Sequence, residues 1–180
     1  YPEMYERTLT MYTFSKKFAM TGWRLGASIG PKKIIEQINR LNVNMESCTT
    51  HFVQYAGLAG LNAPKQETQD ILDILKERRD ALVKILNEIE GVEVHVPEAG
   101  FYVFPKITNL LENTGFNSVE EFRKVVLNET GVSFCGRHHF GRPLQNEDDY
   151  YIRLAFSGID KEDLVEGMDL FKEWIGRNTK

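Results

Sequence analysis

The sequence predicts an α/β chain in two lobes, and three observations predict it. Strand-like and helix-like stretches follow one another along 180 residues with no internal repeat or low-complexity tract. A long stretch, 65 to 90, repeats Ile71, Leu75, Leu82, Leu86 and Ile89 at helical spacing, with charged residues between them. The character differs on either side of it: strand–loop–strand–helix–helix before, a compact α+β pattern after. With 42% hydrophobic and 27% charged residues, the chain has enough apolar content to bury a core.

The elements follow in order. Thr8 to Phe14, rich in Thr and aromatic residues, predicts a strand. A polar loop from Ser15 to Gly22 leads to a second strand, 24 to 29, expected to be buried. Gly30-Pro31 starts a helix, Pro being tolerated where no N–H is needed, and Ile34, Ile38 and Leu41 form its apolar face. Thr50 to Leu61 is small and apolar, a closely packed helix ended by Asn62-Ala63-Pro64. The long helix then runs to Ile89, and Gly91 stops it. Val92 to Val96 alternates as a half-buried strand, and Phe101 to Phe104 is another after a turn at 97 to 100. Ser118 and Glu121 form a capping box before Phe122, Val125 and Val126. A short strand is expected at 132 to 135, a polar loop at 136 to 149 and a last strand at 150 to 156. Asp160 caps a final helix carrying Leu164, Met168, Phe171 and Ile175. The second lobe is thus read as four short strands and two helices.

Several function classes are excluded. Lys and Arg number 22 against 26 Asp and Glu, a net charge of -4, which argues against a sequence-independent nucleic-acid binder. No apolar run approaches the roughly 20 residues of a membrane span. Cys48 and Cys135 lie far apart with no CxxC spacing, so a disulfide framework or cysteine-rich zinc site is not expected, and a reducing cytoplasm is the default.

The chemistry concentrates in Thr13-Phe-Ser-Lys-Lys-Phe-Ala-Met-Thr-Gly-Trp-Arg-Leu-Gly26. This stretch resembles the lysine signature of fold-type I pyridoxal-phosphate enzymes, in the class I/II aminotransferase family. The pattern is a hydroxyl residue, Lys, a short spacer, small-Met-Thr-Gly-Trp, then Arg-Leu-Gly. The likeness continues to Tyr151-Ile-Arg-Leu-Ala-Phe156, which looks like the family's C-terminal Arg strand. It implies the C-terminal part of a pyridoxal-phosphate-dependent large domain, 1–64, with an incomplete, mostly parallel sheet. The long helix and an α+β small domain would fill 65–180.

The resemblance assigns roles. Lys16 holds pyridoxal 5'-phosphate as a Schiff base and later moves the proton between the substrate α-carbon and the cofactor. Arg24 binds the cofactor phosphate through its guanidinium fork, with Gly22 allowing close approach. Thr13 and Ser15 flank the lysine, and Thr13 stands where the family more often has Ser. Lys17 is read as solvated surface. Arg153, a charge between apolar neighbours in a strand, binds the substrate α-carboxylate, the alternative being an edge-strand Arg reaching water. Phe101 lines the substrate pocket or packs in the core, with core packing favoured for Tyr102 over Phe101.

The stretch Gly136-Arg-His-His-Phe-Gly-Arg142 stays open between a solvated loop and a reader of a distal carboxylate through Arg137 or Arg142. His138 and His139 lack a third ligand at suitable spacing, so no metal is expected. Thr49, Thr50 or His51 falls where the family reaches toward a partner subunit, and a plain helix cap is preferred.

The chain opens at Tyr1 with Lys16 close behind, so the family's Asp on the pyridine nitrogen, Tyr on the ring oxygen and phosphate loop cannot be assigned. The expectation is a C-terminal segment whose N-terminal half lies elsewhere, with little activity alone. The parent is expected to be a cytoplasmic homodimer exchanging an amino group between an L-amino acid and a 2-oxo acid. Two other outcomes use the same residues: a C–S lyase or synthase, and the aminotransferase-like effector domain of a transcription regulator. A subunit that has lost catalysis fits less well, because Lys16, Arg24 and Arg153 are all present.

Overall fold

A computed structural model describes residues 2–142 and 144–179. Tyr1, the start on which the reading as a segment leans, and Pro143, within the expected polar loop, lie outside the described residues. The chain divides into two compact units, Tyr1–Asp70 and Ile71–Lys180.

In the first unit a 3-10 turn, Pro2–Arg7, leads into strand β1, Thr10–Thr13. Strand β2, Gly26–Ile29, pairs with it antiparallel, Thr10 opposite Ile29 and Thr13 opposite Gly26. Helices α1, Lys32–Met45, and α2, His51–Asn62, follow, and α3, Lys65–Asn87, crosses into the second unit. Its core cluster is Phe14, Met20 and Val53, with Tyr12, Phe18, Leu25 and Ala56 packed on them. Strand β2 was expected to be buried, yet Gly26, Ala27 and Ile29 are exposed. A two-stranded ribbon has no second layer to cover both faces. Helix α1 has the predicted stripe but no buried residue.

The second unit packs the C-terminal part of α3 against a three-stranded antiparallel sheet ordered β3-β5-β4. These strands are Tyr102–Val103, Ile152–Ala155 and Cys135–Gly136 respectively. Helices α4, Thr108–Thr114, α5, Val119–Thr130, and α6, Lys161–Asn178, complete it. The core runs through Leu82 and Leu86 of α3, Leu110, Phe122, Ile152, Phe156, Phe171 and Trp174. Ser118 caps α5, its hydroxyl accepting from the Glu121 amide, which is the serine half of the expected capping box.

Four expectations are corrected. The parallel sheet is absent among the described residues: both sheets are antiparallel. A parallel pair needs a crossover connection, and β1 and β2 are joined by a single loop. The strand at 92 to 96 is reduced to one bridge, Glu93 with Lys106. Helix α4 was not predicted, being only seven residues long, and Gly115 closes it in the left-handed conformation at φ 76°. Asp160 stands before α6 but makes no side-chain cap; its carboxylate takes Arg78 of α3 at 2.7 Å.

Candidate active site

The loop between β1 and β2, residues 14–25, carries the predicted lysine and arginine. Its ends are closed by the Phe14 amide donating to the Leu25 carbonyl. Its apolar residues turn inward: Phe14 stacks on Phe18 with centroids 5.6 Å apart, and Met20 is buried. Helix α2 meets this loop through small residues. A Cβ on Gly57 would lie 2.4 Å from Leu25, and one on Gly60 would lie 3.2 Å from Phe18. That close approach is why 51 to 62 reads small and apolar.

With the hydrophobic residues anchored, the polar ones are left outside. Lys16 is exposed on the turn after β1. The Thr13 hydroxyl accepts from the Ser15 amide at 3.1 Å, and the Thr21 hydroxyl donates to the Ser15 carbonyl at 3.2 Å. Arg24 donates to the Thr21 carbonyl at 2.8 Å. Arg24 and Ala19 both hold left-handed backbone, at φ 55° and 52°, strained conformations for residues with a Cβ. The result is a cleft of about 380 Å³ lined by Thr13, Ser15 and Arg24 together with Tyr12 and Leu25. Three of the four predicted cofactor residues therefore line one cavity, and Lys16 is on the adjoining turn. Gly22 borders a larger cleft of about 880 Å³, beside Arg24, Thr49 and Thr50. A Cβ there would touch nothing of the chain, so its own packing does not demand the glycine. Thr50 stands before α2 without a side-chain cap bond.

Two hydroxyls and a guanidinium round one cleft are a donor set for a phosphate group, and a primary amine beside them is the partner of an aldehyde. The residues present thus fit pyridoxal phosphate.

In the second unit, Arg153 sits in β5. Strand parity puts Ile152 and Leu154 in the core and Arg153 on the other face. Its guanidinium carbon lies 4.2 Å from the Tyr102 ring centroid and 4.4 Å from that of Phe140. It also approaches the Cys135 sulfur at 3.9 Å. Among the described residues, no carboxylate forms an ion pair with it. The same parity reverses the expectation for the neighbouring aromatics. Phe101 and Val103 pack on the core, whereas Tyr102, 39% exposed, stands against Arg153. Sequence reasoning also missed Phe140, which no local pattern connects to a strand residue 13 positions later.

Arg137 has an intramolecular carboxylate. Its Nε lies 2.6 Å from Glu147, and it donates further to the Gly141 and Arg142 carbonyls. These contacts tie Arg137 to its own loop. Glu147 is held below the ordinary Glu range, first by the Leu144 amide and then by Arg137.

His138 and His139 do meet a third group: Glu120 of α5 brings a ligand atom within 4.8 Å of theirs. Local spacing could not reveal it. Arg123, however, donates to both Glu120 oxygens at 2.8 and 2.9 Å, and this pairing above all holds its pKa down to about 2. The carboxylate is already compensated, and the cluster reads as a polar patch at the start of α5.

No helix among the described residues is long and apolar enough to cross a membrane. Comparison with known proteins gives a consistent answer. The profile described as "Aminotransferase class I and II" matches residues 1–170. The chain is 36% identical over 174 residues to the aspartate aminotransferase of Musicola paradisiaca (strain Ech703), covering 97% of this chain and 41% of that protein. Among solved structures, the aspartate aminotransferase of Rhizobium meliloti superposes with a TM-score of 0.82 at 27% identity, over 98% of this chain and 44% of that one. The aromatic aminotransferase of Pyrococcus horikoshii OT3 does so at 0.81 and 31% identity, over 97% and 44%. The chain spans about two fifths of the length of the curated relatives it matches. Matched over nearly its whole length by both profile and relatives, the chain belongs to the class I and II aminotransferase family.

Proposed function

We propose that this chain is the lysine-bearing, C-terminal part of a pyridoxal-phosphate-dependent aminotransferase that moves an amino group between an L-amino acid and a 2-oxo acid. The observation that carries the reading is the cleft lined by Thr13, Ser15 and Arg24, with Lys16 on the adjoining turn. The Thr13 and Ser15 hydroxyls and the Arg24 guanidinium hold the phosphate. The cofactor, when bound, supplies an aldehyde and an electron-accepting ring. Lys16 Nζ would hold the aldehyde carbon and, as a free amine, would take the proton from the amino acid's α-carbon. Arg153 Nη and Nε groups hold the substrate α-carboxylate.

The names of the relatives favour aspartate as the amino acid to try first. The parent enzyme is a homodimer, and the residues that complete the site belong to the rest of its chain. The 180 residues alone therefore have little transaminase activity.

The reading is tested in the parent enzyme. Lys16→Ala lowers amino transfer at least roughly a hundred-fold. Lys17→Ala, which removes an ammonium lying 5.2 Å from the Phe18 ring centroid, leaves it within about two-fold. Equal effects of the two substitutions would refute the assignment.

A further inference from the structure

The geometry points to the Arg137–Glu147 pair as a positioning clasp for the carboxylate-binding arginine, an inference that rests on the function proposed above for Arg153. The pair is largely shielded, with side chains 22% and 15% exposed, and is joined twice: Nε to Oε1 at 2.6 Å and Nη2 to Oε2 at 2.9 Å. The Glu147 carboxylate also accepts from the Leu144 amide at 2.8 Å. Arg137 gives its remaining reach to the Gly141 and Arg142 carbonyls, and its own amide donates to the Tyr151 carbonyl beside Arg153. Arg137, Gly141, Arg142, Leu144 and Glu147 are thereby tied to one another and to Tyr151, the residue before β5.

What the clasp holds is the 3-10 turn Arg137–Phe140, whose last residue lies over Arg153. Phe140 is braced edge-on by Phe104, itself stacked on Tyr151 at 5.4 Å. Tyr102 supplies the second ring. Contact with two aromatic rings limits the orientations open to a long, flexible side chain and displaces water from it. A guanidinium that waits in one orientation binds a planar carboxylate with less entropy loss than one that must be fixed on binding. Arg137 and Glu147 act through Phe140, and Phe140 acts on Arg153; none of the three is required to touch the reacting atoms.

The test uses the parent enzyme loaded with pyridoxal phosphate, and the best amino acid from a panel that begins with L-aspartate. Arg153→Ala sets the scale and raises KM on the order of a hundred-fold. Phe140→Leu and Arg137→Ala each raise KM roughly five-fold with kcat and cofactor content nearly unchanged. The exchanged pair, Arg137→Glu with Glu147→Arg, recovers part of the loss. If Arg137→Ala does not fold, Phe140→Leu, which keeps an apolar side chain but removes the ring, decides alone. Unchanged KM in Phe140→Leu while Arg153→Ala is impaired overturns the clasp and leaves the proposed function standing. Unchanged KM in Arg153→Ala overturns both. A spectroscopic signature is independent of turnover: in the 180-residue chain, the Arg153 Nε–H resonance carries ring-current shifts that change in Phe140→Leu. Resonances identical in the two proteins would contradict the inference.

Discussion

The two units solve the same problem in different ways. The second folds α3, three further helices and a three-stranded sheet round a continuous core in which Leu86, Phe122 and Ile152 are fully buried. Among the described residues, the first has a core cluster limited to Phe14, Met20 and Val53. It leaves Leu41, Val43, Met45, Phe52, Tyr55 and Leu58 largely exposed. Apolar patterning is present in both, but it becomes a core only where a second layer faces it. The contrast extends to the two arginines. Arg153 stands on a strand backed by that core. Arg24 is exposed, on a loop whose strained backbone is fastened by α2 glycines and a few aromatic contacts. Unit 2 can position its residue unaided, whereas unit 1 needs its loop to be held.

The largest expected effect breaks the chain itself. Residues 71–180 expressed alone unfold in a single cooperative transition in urea, and residues 1–70 alone show none. A cooperative transition from the 1–70 fragment would remove the contrast. Next, Phe122→Ala costs the second unit about 3–5 kcal/mol, read as a lowered denaturation midpoint. Gly57→Ala costs about 1–3 kcal/mol, because the new methyl meets Leu25 at 2.4 Å; the Phe14 and Phe18 ring resonances shift with it.

Acid weakens the second unit through its carboxylates. Glu147 and Asp149 both have pKa values lowered in the fold, Glu147 first by the Leu144 amide and Asp149 first by Lys106. Lowered values mean that their stabilisation is complete above the ordinary values of 4.5 and 3.8. It is lost as pH falls through the folded ones. Unfolding of 71–180 followed against pH therefore shows a decline that is shallower in Glu147→Gln. The smallest effect is Leu41→Gln on α1, within about 0.5 kcal/mol, since that side chain already faces solvent.

Much of this was legible from the sequence. The Ser118 cap, the long helix and the lysine loop each depend on residues close together, and all three stand where they were expected. What depended on distant partners was not. The parity that sends Phe101 inward and Tyr102 toward Arg153 follows from pairing Val103 with Leu154, a register no local pattern specifies. Phe140 over Arg153, Glu147 on Arg137 and Glu120 beside two histidines are likewise tertiary facts. Burial of β2 failed as an expectation for a related reason: apolar content states what a strand can cover, and the layers present decide what is covered.

Lys16 is the residue on which the proposed chemistry turns. Incubation with pyridoxal phosphate, reduction with borohydride and mass mapping of the peptides measures it directly. The pyridoxyl group is predicted on Lys16, lost in Lys16→Ala and weakened in Arg24→Ala. Label spread over Lys17 and other surface lysines, with none on Lys16, would contradict it.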